Sequence, residues 1–354
     1  MNLETGAEQL GKTQVGFAPT SHASYLLARS WRLADFITLM KPRVMALAVF
    51  TAMVGMIAAP GRIDPLLSFV AVLAIAAGAG ASGVLNMWYD ADIDAVMTRT
   101  AMRPIPRGRI LHVEALVFGL VLAVGAVVAL AIATNIAAAA LLAGTILFYV
   151  VVYTAWLKRY TRQNIVIGGA AGALPPVIGW AAVTGEIGFE PLALFLIILL
   201  WTPPHFWALA INRSDEYARA RVPMLPVVAG RAATARQILV YSVLLTVAST
   251  VPWSLGFAGA IYAATAATCG TILVALALQL SRSGGADRRA AHRLFAFSIF
   301  YLFVVFAALF VEHGGQPWSP KLLSRGARTT FVFLQGEFVP SNRTVPDYLS
   351  VDEV

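Results

Sequence analysis

The sequence is poor in charge and nearly devoid of cysteine. Asp, Glu, Lys and Arg make up 12% of the 354 residues, about half the share usual in soluble domains. Apolar residues reach 59% and the mean hydropathy is +0.75, which excludes an ordinary soluble fold and puts most of the chain in lipid. The single cysteine, Cys269, lies within an apolar run, so neither a disulfide framework nor a thiolate metal site can be built within the chain. Period-two alternation, the mark of a membrane barrel, is also missing. Residues 1–30 contain no apolar core ending in a small-residue cleavage site, so no secretory signal is expected and the first span is expected to act as the anchor. The net charge is +8 and the pI about 9.9. The basic residues, however, are dispersed in short segments between apolar runs, which argues against nucleic acid as a partner and for a role in topology.

What is present is a series of long apolar runs. At 1.5 Å per residue a helix needs roughly 20 residues to cross about 30 Å of hydrocarbon. Nine runs come near that length, at about 41–59, 66–86, 112–132, 136–156, 165–183, 190–211, 238–254, 257–279 and 293–312. Lipid leaves the backbone no other partner than itself, so these are helices. The expected fold is an all-α polytopic membrane protein with nine transmembrane helices. The N-terminal segment and the connections after even-numbered runs hold 21 of the 26 Lys and Arg residues, which places the N-terminus and those connections in the cytoplasm. Three segments are expected: a cytoplasmic one over 1–32, a nine-helix domain over 33–312, and a tail over 313–354. In the tail, Lys321, Arg325, Arg328 and Arg343 run mildly against the charge rule, and the apolar stretch Thr329 to Leu334 is too short to span.

Charged residues with chemical potential gather in the expected cytoplasmic connections. Asn86, Asp90 and Asp94 follow one another at spacings of four. Each step turns roughly 400°, or about 40° net, so the three share one helix face and Asp92 points elsewhere. Stacked carboxylates repel unless a cation intervenes, and oxygen-only ligands at a wet helix end suit Mg²⁺ bridging to a diphosphate. A solvated helix terminus is the competing reading, although acids there oppose the macrodipole. Arg99, Arg103, Arg107 and Arg109 follow. Guanidinium forks suit phosphate oxygens, while topology alone would also put arginines there.

Lys158 and Arg159, after the fourth run, suit phosphate or anionic lipid headgroups. Gly168, Gly169 and Gly172 then permit close helix approach, and Pro175 and Pro176 break the fifth span. Packing is the plain reading of each of these glycines. The sixth run ends in Trp201-Thr-Pro-Pro-His205-Phe-Trp207, then Arg213, Asp215 and Glu216. A histidine within a span is a functional candidate by default: His205 is either a ligand for haem iron or a propionate, or a hydrogen-bond partner for a carbonyl freed by Pro203 or Pro204. The aromatic neighbours suit a cation or a porphyrin face and equally an interfacial belt. The segment from Asp215 through Arg219, Arg221, Pro223 and Pro226 to Gly230 repeats the layout from Asp94 through Arg99, Arg103, Pro104 and Pro106 to Gly108, as if two halves of one site.

Three stretches together resemble the protoheme IX farnesyltransferase branch of the UbiA-type intramembrane prenyltransferases. They are NxxxDxxxD at 86–94, YTxWLKRxTxxNIVIGGxAGAxPPxxGW at 153–180, and WTPPHFWALAI with DEYxxAxVPMLPVVxG at 201–230. The resemblance covers about residues 33–312. It implies a nine-helix UbiA-type bundle with a lateral cavity, and transfer of the farnesyl group of farnesyl diphosphate to a vinyl group of haem b, with water addition, giving haem O. It implies Mg²⁺ as cofactor and assigns catalysis to Asp90, Asp94, Asp215 and Lys158, with Asp90, Asp94 and Asp215 holding the metal. Substrate contact would fall to Asn86, Arg103, Arg107, Arg159, Asn164, His205 and Arg213. The second motif departs from the wider superfamily, since Ile211 and Arg219 stand four residues either side of Asp215. Glu216 is the substitute carboxylate, which leaves the metal count there open. The expected setting is membrane lipid, the cytoplasmic membrane if the source is bacterial, with the site on the cytoplasmic side. A complex with a downstream haem-modifying enzyme is a candidate partnership. Rival readings are a prenyltransferase acting on an aromatic quinone precursor, a membrane transporter, and a non-catalytic assembly factor.

Overall fold

A computed structural model describes residues 32–314, together with 330–334 and 337–341. The expected N-terminal segment lies almost wholly outside the described residues, as do the four basic residues of the tail. Contacts divide the chain into two compact units, 1–318 and 319–354. In the second unit, Thr330–Leu334 pairs antiparallel with Glu337–Ser341, so the short apolar stretch of the tail is one strand of a hairpin.

Every regular element among the described residues of the first unit is a helix. Its elements are α1 (Arg32–Leu39), α2 (Pro42–Ala58), α3 (Pro65–Tyr89), α4 (Ala91–Val96), α5 (His112–Ala133) and α6 (Ile136–Tyr160). Then follow α7 (Asn164–Ala173), α8 (Pro175–Thr184), α9 (Phe189–Asn212), α10 (Ser214–Arg219), α11 (Leu225–Val228), α12 (Gly230–Ser254), α13 (Ala260–Arg282) and α14 (Arg288–His313). Among the described residues eight stretches are each long and apolar enough to cross a membrane, counting α7 and α8 as one, and the pair α1–α2, bent by 50°, makes nine when it is counted as one broken span. The bend has a cause in the sequence: Pro42 cannot donate to the preceding turn, and Lys41 takes a left-handed φ of 54°,.

Helix starts carry their own signals. Asp64 accepts from the backbone N–H of Leu66 at 2.8 Å with Pro65 next, and Asp287 accepts from Arg289 at 2.8 Å, both N-caps of the ordinary kind. Asn135 caps α6 through Ala138 and donates back to the carbonyl of Ala181 on α8. Helix α12 begins eight residues before the seventh apolar run, because Gly230 to Gln237 is helical without being apolar.

The double proline after Leu174 separates α7 from α8, as expected. Pro203 and Pro204 do not break α9, which runs straight through them. A segment the sequence read as ordinary helix, Phe148–Leu157 in α6, is wound as a π-helix, a form that concentrates at functional sites. In lipid, helices associate by close packing of small residues. Gly55 of α2 and Gly179 of α8 do this: a Cβ on Gly55 would fall 2.2 Å from the carbonyl oxygen of Pro176, and one on Gly179 2.0 Å from that of Ala52. Helix α2 also packs on α3 and α14, α9 on α7, α12 and α14, and α6 on α3 and α7. The inner faces of α2, α3, α6, α7, α9 and α14 thereby surround one cavity system.

Candidate active site

The even-numbered connections meet at one end of the bundle. Asn86, at the end of α3, donates through Nδ2 to Asp90 Oδ2 at 2.7 Å and to Thr154 Oγ1 at 3.1 Å. Its Oδ1 accepts from Lys41 Nζ at 2.6 Å. The helix is interrupted at Asp90 (φ −89°, ψ 11°), yet the Asp90 N–H still donates to Asn86 O and that of Asp94 to Asp90 O. The three residues therefore stay on one face. They are 5%, 0% and 3% exposed, whereas the Asp92 side chain is 64% exposed.

Each buried acid has a cation. Lys158 pairs with Asp90 and Arg103 with Asp94. Arg159 spans the outer side, its guanidinium donating to both Asp92 oxygens at 2.8 Å, lying 3.7 Å from Asp90 Oδ1 and stacking over the Tyr89 ring at 4.9 Å. That fork holds the Asp92 carboxyl at about 2, well below its ordinary range. Asp90 Oδ1 is buried and accepts no hydrogen bond, and Asn164, 1% exposed, leaves both amide atoms unpaired. A buried polar group left so calls for a partner, whether a ligand, an ion or an ordered water.

Beside this cluster lies a cavity of about 280 Å³ bordered by Lys41, Asn86, Asp94, Arg99, Arg103 and Lys158, while Asn164 lies outside its lining. Its inner wall turns to Tyr149, Tyr153, His205, Phe206 and Phe295. His205 is 9% exposed and sandwiched, its ring 4.3 Å from Trp201 and 4.6 Å from Phe295. Its Nδ1 lies 2.7 Å from Ser298 Oγ, and that hydroxyl donates its one proton to Phe295 O at 2.7 Å. Ser298 must then accept from His205, so the ring is an Nδ1–H tautomer with a bare Nε2 lone pair. The expected bond to a carbonyl freed by the prolines does not form: helix α14, not α9, holds this histidine.

The second motif is built differently. Asp215 is exposed and does not border the cavity, Glu216 accepts from Arg213 at 2.8 Å, and Tyr217 and Met224 are the members of this connection that reach the wall. Both connections end in a left-handed glycine, Gly108 at φ 69° and Gly230 at φ 81°, so their likeness is one of backbone rather than of buried charge. Among the described residues no three His, Cys, Asp or Glu side chains come close enough to hold a metal by themselves. Arg107 is exposed and lies outside the cavity lining. Asn86, Asp94, Arg103, Lys158 and His205 border the cavity, and Asp90 and Arg159 stand directly behind them.

Sequence reasoning passed over Lys41, Tyr149, Tyr153 and Tyr217. Lys41 carried a weak signal, a lone ammonium just before the proline that opens a span. Tyr149 carried none, since aromatic residues in apolar helices are ordinary core residues, whereas Tyr153 and Tyr217 stand within the stretches that carry the family resemblance.

Comparisons with known proteins agree with this architecture. The UbiA prenyltransferase family matches residues 48–305. A protoheme IX farnesyltransferase of Rhodopseudomonas palustris is 59% identical over 282 residues, 79% of this chain and 90% of the relative. Another from Methylobacterium radiotolerans is 59% identical over 290 residues, 81% and 92% of the two chains. Among solved structures, a digeranylgeranylglyceryl phosphate synthase superposes with a TM-score of 0.66 at 21% identity, over 80% of this chain and 98% of that one. A UbiA homologue of Archaeoglobus fulgidus bound to GPP and Mg²⁺ gives 0.57 at 15% identity, over 78% and 99%. These two likenesses are of fold.

Proposed function

Since the chain belongs to the UbiA prenyltransferase family, an enzyme family of integral membrane proteins, we propose that it transfers the farnesyl group of farnesyl diphosphate to a vinyl group of haem b, with water addition, giving haem O and diphosphate. The observation that carries the reading is the set of buried ion pairs, Asp90 with Lys158 and Asp94 with Arg103, at the rim of a cavity whose inner wall is aromatic. A charged headgroup with an apolar tail fits that polarity, and the long likeness to protoheme IX farnesyltransferases supplies the acceptor.

Lys41, Arg99, Arg103 and Lys158 present cations to a diphosphate and neutralise charge as it leaves. The first motif suits a hard divalent cation: its donors are all oxygen, and Asp90 Oδ1 is buried without a hydrogen-bond partner,. Asp90 and Asp94 would hold Mg²⁺ together with diphosphate oxygens, and the ion would add Lewis-acid stabilisation of the leaving group. Asp215, being exposed, would join only if the 213–221 segment closes over bound substrate. Asn86 fixes the Asp90 carboxylate while Lys41 fixes Asn86. Tyr149, Tyr153 and Phe206 present ring faces to the allylic cation, and the surrounding helices keep bulk water from quenching it. The haem vinyl group attacks that cation, and water captures the second cation formed beside the ring. His205 presents its bare Nε2 to the porphyrin side, as ligand to the iron or as acceptor for the O–H of a protonated propionic acid group. The N-terminus and this end of the bundle face the cytoplasm, by the distribution of Lys and Arg.

The test is direct. Purified protein in lipid is incubated with haem b, farnesyl diphosphate and Mg²⁺ under reducing conditions, and the porphyrin product is identified by mass. A mass equal to haem b plus one farnesyl group and one hydroxyl group is expected, because the capturing water gives up a proton. No product beside an active farnesyltransferase run in parallel, or prenylation of a quinone precursor in its place, would refute the assignment.

A further inference from the structure

The polar chamber adjoins two apolar cavities with which it shares lining residues. One, of about 80 Å³, lies against α3 and is lined by Met45, Ile75, Ala79, Ser82, Tyr149 and Gly172; the other, of about 110 Å³, lies against α9 and is lined by Tyr149, Tyr153, Gly169, Gly172, Trp201 and Phe206. Tyr149 borders all three spaces, and Gly172 borders both apolar ones. The three glycines of α7 are not alike. A Cβ on Gly168 would fall 2.1 Å from the Tyr153 ring and one on Gly169 2.9 Å from Thr202, whereas one on Gly172 would meet nothing within 4 Å. Packing explains the first two and not the third. Glycine is a poor helix former; the helical glycines Gly125 and Gly144 also have open Cβ positions, but of the three only Gly172 borders these cavities.

We propose that Gly172 gauges isoprenoid length: its missing side chain leaves room for the last isoprene unit of the donor, whose chain runs from the charged rim along α3. The proposal rests on the functional reading above. Ile75, Gly78, Ala79, Ser82 and Asn86 follow one another at steps of one, three or four residues, a single stripe of α3 that leads from the apolar cavity to the acid motif. Eleven residues separate Ile75 from Asn86, about 16 Å of helix. An isoprene unit adds four carbon–carbon bonds, about 5 Å, so an extended farnesyl chain is roughly 15 Å long. Gly172 stands eight residues beyond Asn164, about 12 Å below the charged end, at the level of the third unit. A branched or aromatic side chain there would fill that unit's place and leave room for the first two.

Gly172→Leu and Gly172→Phe are prepared with Ala79→Leu, which narrows the same cavity from the opposite wall. Gly125→Leu is the control, a site on α5 where a Cβ also meets nothing and which borders none of the three spaces. Each protein in lipid receives haem b, Mg²⁺ and competing geranyl and farnesyl diphosphates, products are quantified by mass, and folding is followed by thermal unfolding. The farnesyl-to-geranyl product ratio is expected to fall about 100-fold in the Gly172 variants, the worth of burying roughly four apolar carbons. It should fall in Ala79→Leu as well and stay unchanged in Gly125→Leu. A folded Gly172 variant that keeps the wild-type ratio, or loses both donors equally, overturns the gauge. If the phenylalanine variant does not fold, the two leucine variants carry the same expectation. A wild-type chain that prenylates haem with neither donor overturns the functional reading instead.

Discussion

Lys158 and Asp90, 68 residues apart in sequence, form an ion pair in which the aspartate side chain is 1% exposed. Lys158 reaches it from the end of a π-helical segment of α6, so two unrelated irregularities, the wide turn of α6 and the interruption between α3 and α4 at Asp90, meet at one charge. Removing one partner of a buried pair leaves a bare charge in a dry place and costs about 3–5 kcal/mol. Asp90→Asn should therefore lower both thermal stability and haem O formation. The double variant Asp90→Asn, Lys158→Met should recover stability while remaining inactive. Unfolding curves and product mass separate the two effects, and recovery of activity in the double variant would remove Asp90 from catalysis.

Asp215 predicts the opposite combination. It is exposed, and surface substitutions usually change stability by less than about 0.5 kcal/mol. Asp215→Asn should leave the unfolding temperature unchanged and abolish turnover if the 213–221 segment delivers this carboxylate to the bound diphosphate. Wild-type turnover in that variant would confine the metal to the first motif.

His205 is held by Ser298 from a different helix. Ser298→Ala removes the acceptor that selects the Nδ1–H tautomer, and His205→Gln removes the Nε2 lone pair itself. Weakened haem binding, by about tenfold for the serine variant and by more for the histidine variant, should appear in absorbance titrations. Farnesyl diphosphate binding should be unaffected in both. Equal haem affinity in all three proteins would return His205 to a purely structural role.

The Arg159–Asp92 pair gives a pH dependence with a definite sign. The carboxyl is depressed in the folded protein, to about 2 from its ordinary 3.8. Its stabilising effect is thus complete above about pH 4 and is lost as the pH falls toward 2. Thermal unfolding of wild type and Asp92→Asn between pH 2 and pH 6 should show a gap that is constant at the upper end and closes at the lower. A gap that widens on acidification would contradict the pairing.

Helix α2 brings Met45 to the cavity, and Lys41 stands at its start, so its seat against α8 matters to the site. A side chain at Gly179 would collide with the backbone of Ala52, and backbone does not yield. Gly179→Val should reduce membrane abundance and unfolding temperature sharply, while Gly144→Val, where a Cβ meets nothing, should do neither.

Much of this protein follows from local sequence. Nine apolar runs must be helices because lipid offers the backbone no other partner, and the crowding of Lys and Arg between alternate runs groups the charged ends on one side. The spacing of Asn86, Asp90 and Asp94 places them on one face because the helical period is nearly four. Pro42 and the Pro175–Pro176 pair mark their bends because a missing N–H is a local property. Tertiary structure alone decided which charges meet. Lys41 finds Asn86, Asp94 finds Arg103 in burial while Asp215 stays exposed in a segment of similar sequence, His205 finds Ser298 rather than a carbonyl of its own helix, and Gly172 faces a cavity where Gly168 and Gly169 face side chains. Periodicity says which side of a helix a residue occupies; what stands opposite depends on how distant helices are rotated and seated against one another, and that is settled by the packing of the whole bundle.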